Sequence, residues 1–200
     1  DAVRDIRFFR YKRLSFGTTS FIVARSGYSK QGGFEIYVEG TQHGMPLWQA
    51  LFEAGADLNV RPGCPNLIER IEGGLLSYGN DMTQENTPLE CGLGKFCTPG
   101  EGAVFIGRDP LLQELEAGPV QQIRAISIDG EKITPPRRAW PLMRGDRQVG
   151  QVTSAAWSPD FSTNVAIGMV QAEHWQAGAE LVVETADGPR AAQVKAGFWI

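Results

Sequence analysis

Glu35 and Tyr37 are the residues whose types and spacing first suggest chemistry in this chain. They lie in "GYSKQGGFEIYVEG", residues 27–40, where Phe34, Ile36 and Val38 alternate with them. Successive side chains of a β-strand point to opposite faces, so the three apolar residues share one face. The carboxylate and the phenol share the other. Two readings stay open on the residues alone. One is the solvent face of a half-buried antiparallel strand. The other is a grip on a ligand.

Other chemistries find little support. Cys64, Cys91 and Cys97 are an odd number without CxxC spacing, and His43 and His174 are the only histidines. That combination argues against a zinc site and a disulfide framework, and buried inert thiols are the expected state. A Cys–His pair stays open, but no GxSxG elbow marks a serine hydrolase. The net charge of −4 gives no electrostatic case for nucleic acid, and no Lys/Arg block points to a membrane surface. No apolar run approaches a transmembrane span. The start, "DAVRDIRFFRYKRL", lacks the apolar stretch of a secretory signal, and without an initiator Met it reads either as a processed product or as an expressed segment. A reducing cytoplasm is the expected compartment.

The elements that must position Glu35 and Tyr37 read as mixed α/β. "FIVARSG" is a strand, and "GFEIYVEG" is its partner across the turn from Gly27 to Gly33. "MPLWQALFEAGA" predicts a helix, with Leu47, Ala50, Leu51 and Ala54 at helical spacing, Pro46 near its first turn and Gly55 as its stop. "CPNLIERIEGG" predicts a shorter helix capped by Asn66, with Leu67, Ile68 and Ile71 facing a core and Gly73-Gly74 ending it. Arg70, Glu69 and Glu72 on that helix read as surface or interhelix ion pairs. "TPLE", Thr87 to Glu90, has the form of a capping box opening a helix. "RDPLLQELEAG" predicts another helix, capped by Asp109, with Leu111, Leu112 and Leu115 inward and Gly118 as stop.

From about Val120 the texture changes. "QQIRAISIDG", "RQVGQVTSAAW", "NVAIGMV", "AELVVET" and "AAQVKAGFWI" are short strand-like runs separated by turn signals, the pattern of a small barrel or sandwich. Trp157, Trp175 and Trp199 fall in this module as core or rim. The expected class is therefore α+β, an α/β body followed by a small β module.

Four stretches carry a resemblance. "RSGYSKQGGFEIYV", "RIEGGLLSYGNDMTQENTPLECGLGKFC", "FIGRDPLL" and "GQVTSAAWSPDFSTNVAIGMV" stand in the order found in the folate-dependent aminomethyltransferase family, the glycine cleavage T proteins and their relatives. The chain resembles the C-terminal half of such a protein, whose N-terminal region is about as long again. The resemblance implies three parts: residues 1–100, the C-terminal part of the folate-binding body with a mixed sheet and helices; residues 101–119, a linker helix; and residues 120–200, a C-terminal β-barrel. "SKQGGFEIY" and "RPGCPNLIERIEGGLLSYG" are most similar to the dimethylsulfoniopropionate demethylase branch. T proteins usually read "GYTGE-GFE" and "GARDTLR" at these places. Here Ser29-Lys30-Gln31 and Cys64-Pro65-Asn66 stand instead, with Asn66 at the family arginine and Leu75 at a frequent tyrosine. The demethylase branch often has Trp where this chain has Tyr28.

The resemblance also implies a role for the opening residues. In the family the glutamate of the "GFE" strand binds the pterin of tetrahydrofolate, and that residue is Glu35. A carboxylate suits the pterin's two-donor edge. Tyr28 resembles a contact to folate or substrate from the turn, and Tyr37 shares the strand face of Glu35. Lys30 and Arg25 read either as solvated charges or as cations that steer a substrate carboxylate or the folate glutamate tail. The implied activity is tetrahydrofolate-dependent methyl transfer from a small-molecule donor, a sulfonium such as dimethylsulfoniopropionate, giving 5-methyltetrahydrofolate. The alternatives are an aminomethyltransferase or other folate-dependent demethylase, and a catalytically inactive folate-binding homologue or fragment. A sheet lacking partner strands leaves apolar surface uncovered, so self-association as a homodimer, or poor solubility, is expected of the isolated chain.

Overall fold

The computed structural model describes residues 2–28, 30–63 and 66–200. Among them no helix is long and apolar enough to cross a membrane. The chain divides into two compact units, one ending at Asn66 and one spanning Leu67–Ile200.

In the first unit, strands β1 (Tyr11–Phe16), β2 (Thr19–Ala24) and β3 (Glu35–Tyr37) form an antiparallel sheet in the order β1-β2-β3. The pairing of "FIVARSG" with "GFEIYVEG" is as expected, with Val23 opposite Ile36. β1 is an addition: Lys12 and Arg13 interrupt its apolar pattern, and only its pairing with β2 makes "YKRLSF" a strand. β3 is shorter than the alternating run, and Phe34 and Val38 beyond its ends are exposed. Helix α1 (Gly44–Ala54) stops at Gly55, whose N–H bonds back to the Leu51 carbonyl. Its expected inward face is not buried. Leu47 and Ala50 are half-buried, while Leu51 and Ala54 are exposed. Among the described residues of this unit, the buried apolar side chains are Ile6, Phe21 and Val23.

The second unit begins with helix α2 (Leu67–Glu72). Gly74 closes it at φ 66°, with its own N–H on the Ile71 carbonyl and the Leu75 N–H on the Arg70 carbonyl, the double bond of a Schellman ending. A Cβ at Gly74 would also stand 2.4 Å from the Phe198 ring, so both φ and space require glycine. Ile71 is fully buried, but Leu67 turns outward. The Asn66 cap adjoins Cys64 and Pro65, which lie outside the described residues.

"TPLE" makes its capping box without the helix. Thr87 Oγ1 accepts from the Glu90 N–H at 3.1 Å, and Glu90 Oε2 accepts from the Thr87 N–H at 3.2 Å. Gly92, at φ 70°, ends the coil after a single turn. Start and stop signals five residues apart leave no room for propagation.

Helix α3 (Arg108–Ala117) differs from expectation at its cap. Gly107 occupies the N-cap with φ 90°, and Asp109 is the second residue of the helix. There the carboxylate still favours the positive end of the helix dipole. Leu111 and Leu112 are half-buried, but Leu115 is exposed.

Strands β4 (Gln121–Ile128), β5 (Trp140–Arg144), β6 (Arg147–Ser158), β7 (Thr163–Gln171), β8 (Glu180–Thr185) and β9 (Gly188–Val194) close into a barrel in the order β4-β7-β6-β5-β8-β9. Ile126, Ile128, Leu142, Val152, Val170 and Val183 fill its interior. A second cluster joins Ile71 of α2 to Ile123, Val165, Ile167 and Met169. β7 is thus buried on both faces, which explains the unbroken apolar run "NVAIGMV". Trp175 packs on the interior cluster and Trp199 on the α2 cluster, while Trp157 is half-buried under Lys132.

Candidate functional site

β3 carries the candidate residues Glu35 and Tyr37. Its register sets Glu35 opposite Ala24 and Tyr37 opposite Ile22, while Ile36 lies opposite the buried Val23. Glu35 and Tyr37 therefore share one face of the sheet, away from the face of Ile36 and Val23. β1 extends that face by two rows: Tyr11 pairs with Ala24, and Arg13 with Ile22. The rows Tyr11–Ala24–Glu35 and Arg13–Ile22–Tyr37 place two phenols, a carboxylate and a guanidinium on one surface. Tyr11 and Arg13 were missed because β1 was missed. Recognising "YKRLSF" as a strand was the signal that could have found them.

The carboxylate is held from one side. Ser26 Oγ donates to Glu35 Oε2, and Oε1 accepts no hydrogen bond among the described residues. Both Glu35 and Tyr37 are exposed. Tyr37 is 53% exposed, and Tyr28 in the turn 45%. Lys30 is exposed and sits at φ 58°. Its neighbour Ser29 lies outside the described residues. Arg25 is committed to structure: its Nη1 donates to the Ile6 carbonyl at 3.2 Å. Arg13 pairs with Glu39 at 3.5 Å, a solvated contact of small worth. The arrangement can accept a donor edge on a carboxylate and pack a flat or cationic group against phenol rings.

Arg70 corrects the expectation of a surface ion pair. It is 8% exposed and bonds Asp81 Oδ2 at 2.8 Å, the Ser154 hydroxyl at 2.6 Å and the Leu75 carbonyl at 3.1 Å. Asp81 also accepts from the Ser77 N–H, from Thr153 Oγ1 and from Ser154 Oγ. A register shift in β6 between Val152 and Ser154 turns both hydroxyls toward this carboxylate. With both oxygens engaged in this way, Asp81 serves to tie α2, the following loop and β6 together. Sequence spacing offered no sign of it, because Arg70 and Ser154 are 84 residues apart.

Among the described residues no group of three or more His, Cys, Asp or Glu could hold a metal ion. Cys91 is buried and Cys97 half-buried, both free thiols. Burial, and secondarily the Glu90 carboxylate, push the Cys91 thiol up from its ordinary pKa.

A small α/β unit with a carboxylate-bearing sheet face, joined to a closed antiparallel barrel, is the architecture of an aminomethyltransferase-type protein. Comparison with known families agrees. Residues 2–100 match the GCVT N-terminal domain, and residues 121–198 match the glycine cleavage T-protein C-terminal barrel domain. Dimethylsulfoniopropionate demethylase DmdA of Ruegeria pomeroyi is 64% identical over 199 residues, which cover 100% of this chain and 54% of that protein. An aminomethyltransferase of Caldanaerobacter subterraneus is 32% identical, over 90% of this chain and 48% of its own length. The crystal structure of glycine cleavage system aminomethyltransferase T from Bartonella henselae superposes with a TM-score of 0.85 at 25% identity, covering 98% of this chain and 54% of that one. The chain belongs to the glycine cleavage T-protein family. It spans about half the length of these relatives.

Proposed function

We propose that the protein is a tetrahydrofolate-dependent methyltransferase that demethylates a sulfonium such as dimethylsulfoniopropionate, giving 5-methyltetrahydrofolate. Glu35 carries the reading. Its Oε1 accepts no hydrogen bond among the described residues, its Oε2 is anchored by Ser26, and it faces outward beside Tyr37. Such a carboxylate fits the pterin's amino and ring N–H edge, a charge-assisted contact worth about 1.5–3 kcal/mol. The high identity to a protein named for demethylating this sulfonium supports the choice of donor.

Bound tetrahydrofolate would supply the nitrogen that accepts the methyl group. The sulfonium departs as a neutral thioether, so no side chain need act as nucleophile. The chain's own task is to hold and orient the two reactants and to exclude water. Glu35 binds the folate edge. The exposed rings of Tyr28 and Tyr37 suit a cationic donor, each contact being worth roughly 0.5–2 kcal/mol. Lys30 would meet the donor's carboxylate. In this reading residues 1–100 belong to the folate-binding body, 101–119 link, 120–200 form the barrel, and the protein works in the cytoplasm.

The test is to follow methyltetrahydrofolate while the full-length protein is offered tetrahydrofolate and a panel of methyl donors. Turnover with the sulfonium, reduced by Tyr37→Ala more than stability is, supports the proposal. The likeness to aminomethyltransferases favours a second reading, and activity only with an aminomethylated carrier protein would establish it. Binding without turnover would leave a folate-binding homologue.

The 200-residue chain studied alone should associate with a second copy. Met45, Trp48 and Leu51 of α1 are exposed, and so are Phe8, Phe9 and Tyr11. Large apolar side chains left exposed in this number favour association. Analytical ultracentrifugation should show a dimer, and a monodisperse monomer would refute this part.

A further inference from the structure

The barrel carries a cationic cleft that the methyl-transfer reading does not use. Its volume is about 400 Å³, and Arg124, Trp175, Lys195 and Phe198 are among its lining residues, with no Asp or Glu. Arg124 lies on β4. The Lys195 N–H bonds the Ala125 carbonyl at 2.9 Å, which holds Lys195 beside that strand.

The guanidinium of Arg124 is fixed in place. Nε donates to the Trp175 carbonyl at 3.1 Å, and Nη1 donates to the Ile123 carbonyl at 3.0 Å and to Gln122 Oε1. Its Cζ sits 4.8 Å from the centre of the Trp175 ring. Nη2 alone donates to nothing among the described residues. Neither Arg124 nor Lys195 forms an ion pair among the described residues.

A half-buried cation compensated only by neutral acceptors is held at a cost. Burial lowers the pKa of Arg124, as expected where no counter-charge stands nearby. A second cation in the same concavity, with no acid between them, adds to the positive potential. A fixed guanidinium with one unused nitrogen binds an anion without further ordering.

We propose that this cleft binds a compact oxyanion, the carboxylate or phosphate group of a small molecule, between Arg124 Nη2 and the Lys195 ammonium. Nε and Nη1 are occupied, so the contact is made through one guanidinium nitrogen rather than a two-pronged fork. The site therefore selects for charge and small size. It does not depend on the folate reading, because no group assigned to folate or methyl donor lines the cleft.

Two calorimetric titrations of the full-length protein test it, one with inorganic phosphate and one with glutarate, at about 0.15 M ionic strength. Saturable one-to-one binding is expected with at least one of them, and which one binds tells a phosphate ligand from a carboxylate ligand. Lys195→Gln should weaken that binding roughly tenfold, the loss of one charge-assisted contact. Lys12→Gln, which removes a lysine on β1, should leave it unchanged. Arg124→Lys keeps the charge but loses the fixed geometry, and should also weaken binding. Absence of saturable binding by either anion, or wild-type affinity in Lys195→Gln, overturns the proposal.

Discussion

The barrel and the three-stranded unit solve the same problem in opposite ways. Each must pair its backbone and cover an apolar face. The barrel does both from within: β4 meets β7 on one side and β9 on the other, so the sheet has no open edge, and its interior is filled. α2 covers the outer apolar side of β4, β6 and β7 through Ile71. Among the described residues, the first unit has β1 and β3 as edge strands and only three apolar side chains buried. Its helix α1 has no fully buried residue, although its sequence is amphipathic. Closure makes a fold self-sufficient, whereas an open sheet leaves edges and faces that only another surface can satisfy.

The comparison is broken most severely at Asp81. Asp81→Ala leaves Arg70 buried without its partner, and stability should fall by about 3–5 kcal/mol in denaturant unfolding. A change within experimental scatter would mean that the second unit does not depend on its charged network.

Paired truncations sharpen the contrast between the units. Leu142→Ala in the barrel interior should cost about 2–5 kcal/mol. Leu51→Ala on α1 should cost under about 1 kcal/mol in the 200-residue chain, since Leu51 is already exposed. Equal losses at both positions would show that α1 is covered in solution.

At the site the expected effect falls on binding rather than on stability. Glu35→Gln should weaken tetrahydrofolate binding to the full-length protein by about 1.5–3 kcal/mol in calorimetry, while stability moves by less than about 0.5 kcal/mol. An unchanged affinity would remove Glu35 from the pterin contact.

The smallest effect is at Cys91. Its raised folded pKa means that the folded state keeps the proton longer than the unfolded chain. The associated stability is complete below the unfolded thiol value, about 8.5, and is lost as pH rises through the folded value. Cys91→Ala should flatten the decline of stability above that pH. An identical slope in the variant would show that Cys91 contributes none of it.

Local signals set much of the fold and part of the site. The glycine-bounded pairing of "FIVARSG" with "GFEIYVEG" could be read from alternation and turn residues, and so could α1, α2, α3 and most barrel strands. The shared face of Glu35 and Tyr37 follows from a period of two. Other features were decided only in three dimensions. β1 exists because β2 offers it a partner, and β5 carries Pro141, which weakens a strand pattern read in isolation. "TPLE" kept its capping box but became one turn, because Gly92 ends it before a helix can propagate. Arg70 looked like a surface charge because its partners Asp81 and Ser154 are set by folding and not by spacing. Periodicity records which side of an element is apolar. Which surface meets that side, and whether a charge there finds a buried partner, depends on residues far away in the chain.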